Sequence, residues 1–341
     1  MSSVPSIASV RPLRAVSGGR VTIDGTGFPV DDLLTVPVGN VDERVVFASP
    51  SRVVLSISAE CEPVTAPIVL PGVPGGTPPL SIGALWATGL HQVDSPAFDA
   101  DGDLFVTYSG ALGQDAPVSI FRVTRSGSRE PFATGIVNAT SMTRGPDGKL
   151  YVSSRFEGAV YRIDDDGTHE QVASDLGVAC GIAFDRDGWM YVGDRSGTIF
   201  RVREGRATAF ATIPPSVAAF HLAMSPEQEL FVTAPTLSPY DHIYRIDRQG
   251  LVRTIPSLLG RPQGLAFSPD GALHVTEALA GASGVYRFGD LEEPPELVLS
   301  GGTLVGVAFG PRGEMAVVSN DSAYRFEAVL GESEADVSLR A

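Results

Sequence analysis

One turn signature occurs six times in the chain, and this recurrence constrains the fold more than any other feature. The copies read "DADGDLFV" at 99–106, "GPDGKLYV" at 145–152, "DRDGWMYV" at 185–192, "SPEQELFV" at 225–232, "SPDGALHV" at 268–275 and "GPRGEMAV" at 310–317. Taken at Gly102, Gly148, Gly188, Gln228, Gly271 and Gly313, the steps are 46, 40, 40, 43 and 42 residues. Each copy reads as four short strands, as in "GIAF", "WMYVGD", "TIFRV" and "ATAFATI" around the third turn. Asp-Gly supplies the positive φ that a tight hairpin needs, so it recurs at the same place. Gln228 lacks that freedom, and the fourth turn is expected to be built differently.

A four-stranded unit repeated at this period is the signature of a propeller blade. The third strands "SIFRV", "AVYRI", "TIFRV", "HIYRI", "GVYRF" and "SAYRF" agree on six. The sixth copy ends at "SAYRFE" without a fourth strand before the polar tail at 331–341. The segment "IGALWATGL" (82–90) matches the outer strands "REPFATGI" and "ATAFATI", so it is expected to complete the last blade and protect its edge. The predicted fold class is therefore all-β: a six-bladed β-propeller over 82–330, closed by an N-terminal strand and preceded by a small immunoglobulin-like β-sandwich over 1–72. Between them, 73–81 is expected to be a linker, because "PGVPGGTPPL" (71–80) holds four Pro and three Gly.

Within the first unit, "GGRVTIDGTGF" (18–28), "RVVFAS" (44–49), "RVVLSIS" (52–58) and "PIVLPG" (67–72) read as its strands. The pattern "PSIASVRPLRAVSGGRVTIDGTGF", with the later "VPVGN" and "SRVVLSIS", resembles the IPT/TIG immunoglobulin-like domains. That resemblance implies a spacer or a protein-contact module. Cys61 then reads as an incidental thiol, with no His before His91 to activate it.

The six copies resemble the NHL and SMP-30/gluconolactonase-like propellers, a group that includes strictosidine synthase-like proteins. In such a ring the residue before the recurring Gly of each inner strand points into the channel mouth. Aligned without gaps, this position holds Asp94, Thr140, Cys180, Phe220, Gln263 and Val305. Second strands return to the same end, adding Tyr108, Ser154, Asp194, Ala234, Glu277 and Ser319, with Arg155, Arg195 and Asn320 following. The loops 109–119 and 234–242 are the longest there, and loops of this kind commonly carry binding residues.

The SMP-30 resemblance implies one divalent metal, held by an acidic residue in blade one, an Asn in blade four and an Asp in blade five. Asp94 in "DSPAFD" matches the first of these, but Phe220 and Gln263 stand at the other two. The standard triad is thus not intact. Asp94 and Gln263 remain as candidate ligands for Ca²⁺ or Zn²⁺, with Asp194 and Glu277 as further oxygens or as structural acids. His221 occupies the slot of the recurring Gly, which makes Cys180 and His221 a candidate nucleophile pair and, with Asp94, the candidate catalytic set. Candidate ligand-binding residues are Tyr108, Thr140, Arg155, Asp194, Arg195, Phe220, Gln263, Glu277 and Asn320.

A formal net charge of −15 disfavours nucleic acid and anionic membranes as partners. The start "MSSVPSIASVRP" shows no signal peptide, which reads as cytoplasmic, or as secreted if a leader has been removed. The favoured function is binding of a small molecule, or of a protein loop, at the channel mouth. The alternative is a hydrolase or lyase acting on a lactone- or ester-like molecule without the standard metal site.

Overall fold

The computed structural model describes residues 4–91, 95–218, 220–279 and 281–327. Among them there is no helix, and so none long and apolar enough to cross a membrane. Eight strands come first: β1 (Ser6–Arg11), β2 (Arg14–Ala15), β3 (Arg20–Thr26), β4 (Thr35–Val38), β5 (Val41–Ser49), β6 (Arg52–Ser56), β7 (Val64–Pro67) and β8 (Pro79–Ile82). Five of them form one sheet in the order β1-β3-β6-β5-β4. Alternation along β3 buries Val21 and Ile23, and along β6 it buries Val53 and Leu55. These side chains share a core with Leu80 and Ile82 of β8 and with Ile68 and Leu70.

The Pro/Gly stretch does not remain a linker throughout. Its end, Pro79–Ile82, is strand β8, which pairs antiparallel with β7 and parallel with β2. Proline at the first position of a strand removes no ladder bond that the strand needs. The closing strand expected at 67–72 instead ends at Pro67.

After β9 (Ala84–Thr88), the repeats form six sets of four strands. They are β10–β13 (Ala97–Phe98, Leu104–Thr107, Ile120–Val123, Arg129–Ala133), β14–β17 (Ala139–Arg144, Leu150–Ser154, Ala159–Ile163, His169–Ala173) and β18–β21 (Ala179–Phe184, Met190–Asp194, Thr198–Arg203, Arg206–Thr212). Then come β22–β25 (His221–Met224, Leu230–Thr233, Asp241–Ile246, Val252–Leu259), β26–β29 (Pro262–Phe267, Leu273–Glu277, Gly284–Phe288, Glu296–Ser300) and β30–β32 (Gly306–Phe309, Met315–Val318, Ser322–Phe326). The last set takes β9 as its fourth strand, with Ser322 opposite Thr88 and Ala323 opposite Ala87. Inner strands touch in sequence from β10 through β30, and β30 touches β10 again.

The fifth set does not end at its own fourth strand. Ala15 of β2 pairs parallel with Ser300 of β29, giving a continuous sheet β26-β27-β28-β29-β2-β8-β7. Val16 N–H donates to Ser300 O at 2.9 Å, and Val16 is buried with Val285, Leu299 and Phe326. At Gly19 a Cβ would lie 2.5 Å from Ser300 O, so only glycine fits this approach.

The turn glycines adopt left-handed φ, 87° at Gly102 and 81° at Gly188. Gln228 does the same at 66°, and its N–H donates to Ser225 O at 2.9 Å as its glycine counterparts do. The fourth turn is therefore built like the others. Gln228 Oε1 accepts the Arg186 N–H of the preceding set at 2.7 Å, which offsets part of the backbone cost.

The arginine of each third strand has a partner near the turn. Arg122 reaches Asp103, Arg245 reaches Glu229 and Arg325 reaches Glu314, while Arg201 lies over the Trp189 ring. This recurring cation therefore braces the turn end of the blades.

Candidate functional site at the loop end

Antiparallel order sends the second-to-third-strand loops and the connections between sets to the same end of the ring. The residue before each recurring Gly lies there, but four of these residues are packed away from solvent. Thr140, Cys180, Phe220 and Gln263 are all buried, and Phe220 is fully enclosed. Thr140 Oγ1 donates to Asn138 O at 2.8 Å, and Gln263 O accepts the Thr233 hydroxyl. Asp94 lies outside the described residues.

Close backbone approach explains the burial of these residues. A Cβ on Gly181 would sit 2.7 Å from Phe220 O, and one on Gly264 2.7 Å from Val305 O. Neighbouring inner strands thus meet backbone to backbone. The sequence does signal this, since a glycine recurring inside a strand marks close approach. The void in the channel, of about 380 Å³, begins at that level, where Ser95 and Gly264 line it, and runs toward the turns.

Cys180 belongs to the apolar core shared by the third and fourth sets, beside Phe220, Tyr191 and Ile199. His221 is 1% exposed and stands where the other inner strands have Ser95, Ser141, Gly181, Gly264 or Gly306. Ser141 donates to Ser95 Oγ at 2.9 Å at the same level. Burial of both Cys180 and His221 favours packing over nucleophilic chemistry.

The two acids at the ends of second strands have matching structural roles. Asp194 Oδ1 accepts the N–H groups of Val178 at 2.8 Å and Ser196 at 3.2 Å, and Oδ2 accepts the Ser196 hydroxyl. Glu277 accepts Arg261 N–H at 3.0 Å on each oxygen and Leu279 N–H at 2.6 Å. Both carboxylates are buried and tie the connecting backbone to the second strand. Ser154 does the same in the second set, donating to Val137 O at 2.6 Å. Among the described residues no three His, Cys, Asp or Glu side chains converge as a metal would require. The committed acids and the neutral Gln263 oxygen do not fit a divalent metal centre.

The remaining candidates are spread around the rim. Tyr108 is half-buried, with its ring 5.3 Å from that of His91 and edge-on to Phe121 at 5.9 Å. Arg155 is half-buried, while Arg195 and Asn320 are exposed. No candidate was expected at Asn138, yet it organises the first long loop. Its Nδ2 donates to Ser109 O and Ala111 O at 2.6 and 2.9 Å, and its Oδ1 accepts Gly113 N–H at 2.7 Å. Its left-handed φ of 51° is one that asparagine tolerates, which is the only local sign of this role.

The loops at this end present apolar side chains to solvent. Leu112 is 71% exposed, Phe156 56%, Leu237 87% and Tyr240 64%. The Gly113 and Phe156 loops abut, since a Cβ on Gly113 would lie 2.8 Å from the Phe156 ring. Leu279 and Pro239 meet around Gly260 in the same way on the far side.

Comparison with known proteins is consistent with this architecture. Residues 181–202 match the family model "Strictosidine synthase-like, N-terminal". No curated protein matches. A gluconolactonase from Xanthomonas campestris is similar in structure at TM-score 0.59 and 13% identity, covering 79% of this chain and 95% of its own. Virginiamycin B lyase from Staphylococcus aureus, solved with quinupristin, gives TM-score 0.52 and 15% identity over 96% of both chains. An auxiliary nutrient binding protein from Bacteroides ovatus gives 0.53 and 12%, over 95% of this chain and 98% of its own. At these identities the likeness extends to the fold and no further: the chain is an all-β protein resembling the gluconolactonase and virginiamycin B lyase propellers.

Proposed function

We propose that the chain is a closed six-bladed propeller carrying an immunoglobulin-like sandwich, and that it binds a small, largely apolar molecule at the loop end. The cyclic contacts of the inner strands and the β9–β32 pairing support the ring. The two facing sheets of the N-terminal unit support the sandwich, which is then a candidate contact surface for a protein partner. Its acid excess argues against nucleic acid and anionic membranes as partners.

The observation that carries the binding reading is the pairing of spent acids with exposed apolar loops. Asp194 and Glu277 are consumed by backbone N–H groups, while Leu112, Phe156, Leu237 and Tyr240 are left facing water. Exposed apolar side chains grouped at one end of a molecule mark an interaction site. Related architectures include both the nutrient binding protein and the lyase named above, so fold alone does not choose between binding and catalysis.

A neutral apolar dye such as Nile red tests the reading. Saturable binding that weakens in Phe156→Asp and Leu237→Asp supports it, and binding indifferent to both substitutions removes it. Turnover of lactones or aryl esters above the buffer rate would instead favour the hydrolase or lyase alternative.

A further inference from the structure

At the opposite end, the channel void of about 380 Å³ has a composition of its own. Its wall includes the last residues of the six inner strands. Four places before each turn position, the repeats put Phe98, Arg144, Phe184, Met224, Phe267 and Phe309, and all six line the void. Five are apolar. Arg144 is the one charged residue among all those that line it.

Arg144 is held in place rather than mobile. Its Nε donates to Phe98 O at 2.8 Å, and its Nη1 donates to the Gly148 carbonyl. The remaining terminal nitrogen, Nη2, has no protein partner among the described residues. Arg144 also borders a second cleft of about 300 Å³, where Asp99, Asp101, Asp164 and Asp165 stand, yet it forms no ion pair with any of them. A fixed guanidinium with a spare donor, at the edge of a void whose other lining side chains are apolar except Ser95 and Thr143, suits the head group of an amphipathic anion.

We propose that the turn end of the channel is a separate binding site for a compact alkyl or aryl carboxylate. The apolar body lies among the phenylalanine and methionine side chains, and the carboxylate accepts from Arg144 Nη2. The site is independent of the loop-end reading, since it runs from the glycine level, at Ser95 and Gly264, to the turn ends of the inner strands.

Calorimetric titration with octanoate, and with octanol as its neutral counterpart, tests the assignment. Arg144→Phe restores the residue type found in the other blades, and Arg144→Gln removes the charge should the Phe variant not fold. We expect saturable octanoate binding that falls about tenfold or more in either variant, the loss of one charge-assisted hydrogen bond. Octanol binding should change much less. No saturable octanoate binding, or equal octanoate affinity in the wild type and the charge-free variant, overturns the proposal.

Discussion

The Glu277 carboxylate, only 1% exposed, accepts the backbone N–H of Arg261 on both oxygens at 3.0 Å. Leu279 N–H adds a third bond to the same group. Glu277→Ala strands these donors, so it should lower unfolding stability by about 2–5 kcal/mol. Glu277→Gln, which keeps one acceptor, should lose less. Denaturant melts of protein stripped of metal are the check, because a residue reserved for a metal would leave metal-free stability nearly unchanged.

His274 gives an acid-side prediction. Its Nδ1 donates to Ala272 O at 3.2 Å and its ring meets Phe309 edge-on at 4.9 Å. Burial lowers its pKa from 6.5 to about 4, against a small opposing effect of the Ala272 bond. Below pH 6.5 the unfolded chain gains a proton here that the folded chain refuses. This contribution is therefore whole above pH 6.5 and is lost as pH falls toward 4, by about 3 kcal/mol in all. His274→Phe should flatten that part of the stability profile, as read by melts between pH 7 and 4.

The thiols should be inert in the folded protein. Burial and, secondarily, the Glu43 carboxylate push Cys61 up to about 12, and Cys180 is 1% exposed. Ellman's reagent at pH 8 should label neither in native protein and both in denaturant. Rapid native labelling of Cys180 would restore the nucleophile reading. Because unfolded Cys61 ionises first, its contribution to stability declines as pH rises from the ordinary thiol range toward 12.

Gly181→Ala tests the closure of the channel at the glycine level. The new Cβ would stand 2.7 Å from Phe220 O and 2.8 Å from Leu222 N, both backbone atoms with little room to move. We expect about 1–3 kcal/mol of destabilisation, measured by thermal melts.

How much could be read in advance divides along a physical line. The turn glycines and "IGALWATGL" were legible because they reflect local φ and repeated side-chain chemistry, and Ala84–Thr88 does lie beside Ser322–Phe326. Pro79–Ile82 was misread because proline content reports only the strand's own donors, not the neighbour that pairs with it. Thr140, Cys180, Phe220 and Gln263, expected to face a channel mouth, are buried. Whether a register position opens on a void depends on how near the next strand comes, and that distance is set between blades. Gln228 shows the same limit at small scale, since its left-handed turn is supported by Arg186 of another repeat.

The pairing of Ala15 with Ser300 bears on the order in which the protein is made. Residue 15 leaves the ribosome long before residue 300, and at roughly 5–20 residues per second the interval is tens of seconds. During that time β2 can pair with β8 but not with β29, and β9 likewise waits for β32, which is made after β29. The newborn chain thus carries two unfilled strand edges until its last repeats arrive. A nascent protein of this kind is most exposed to wrong pairing just before its sixth repeat is made.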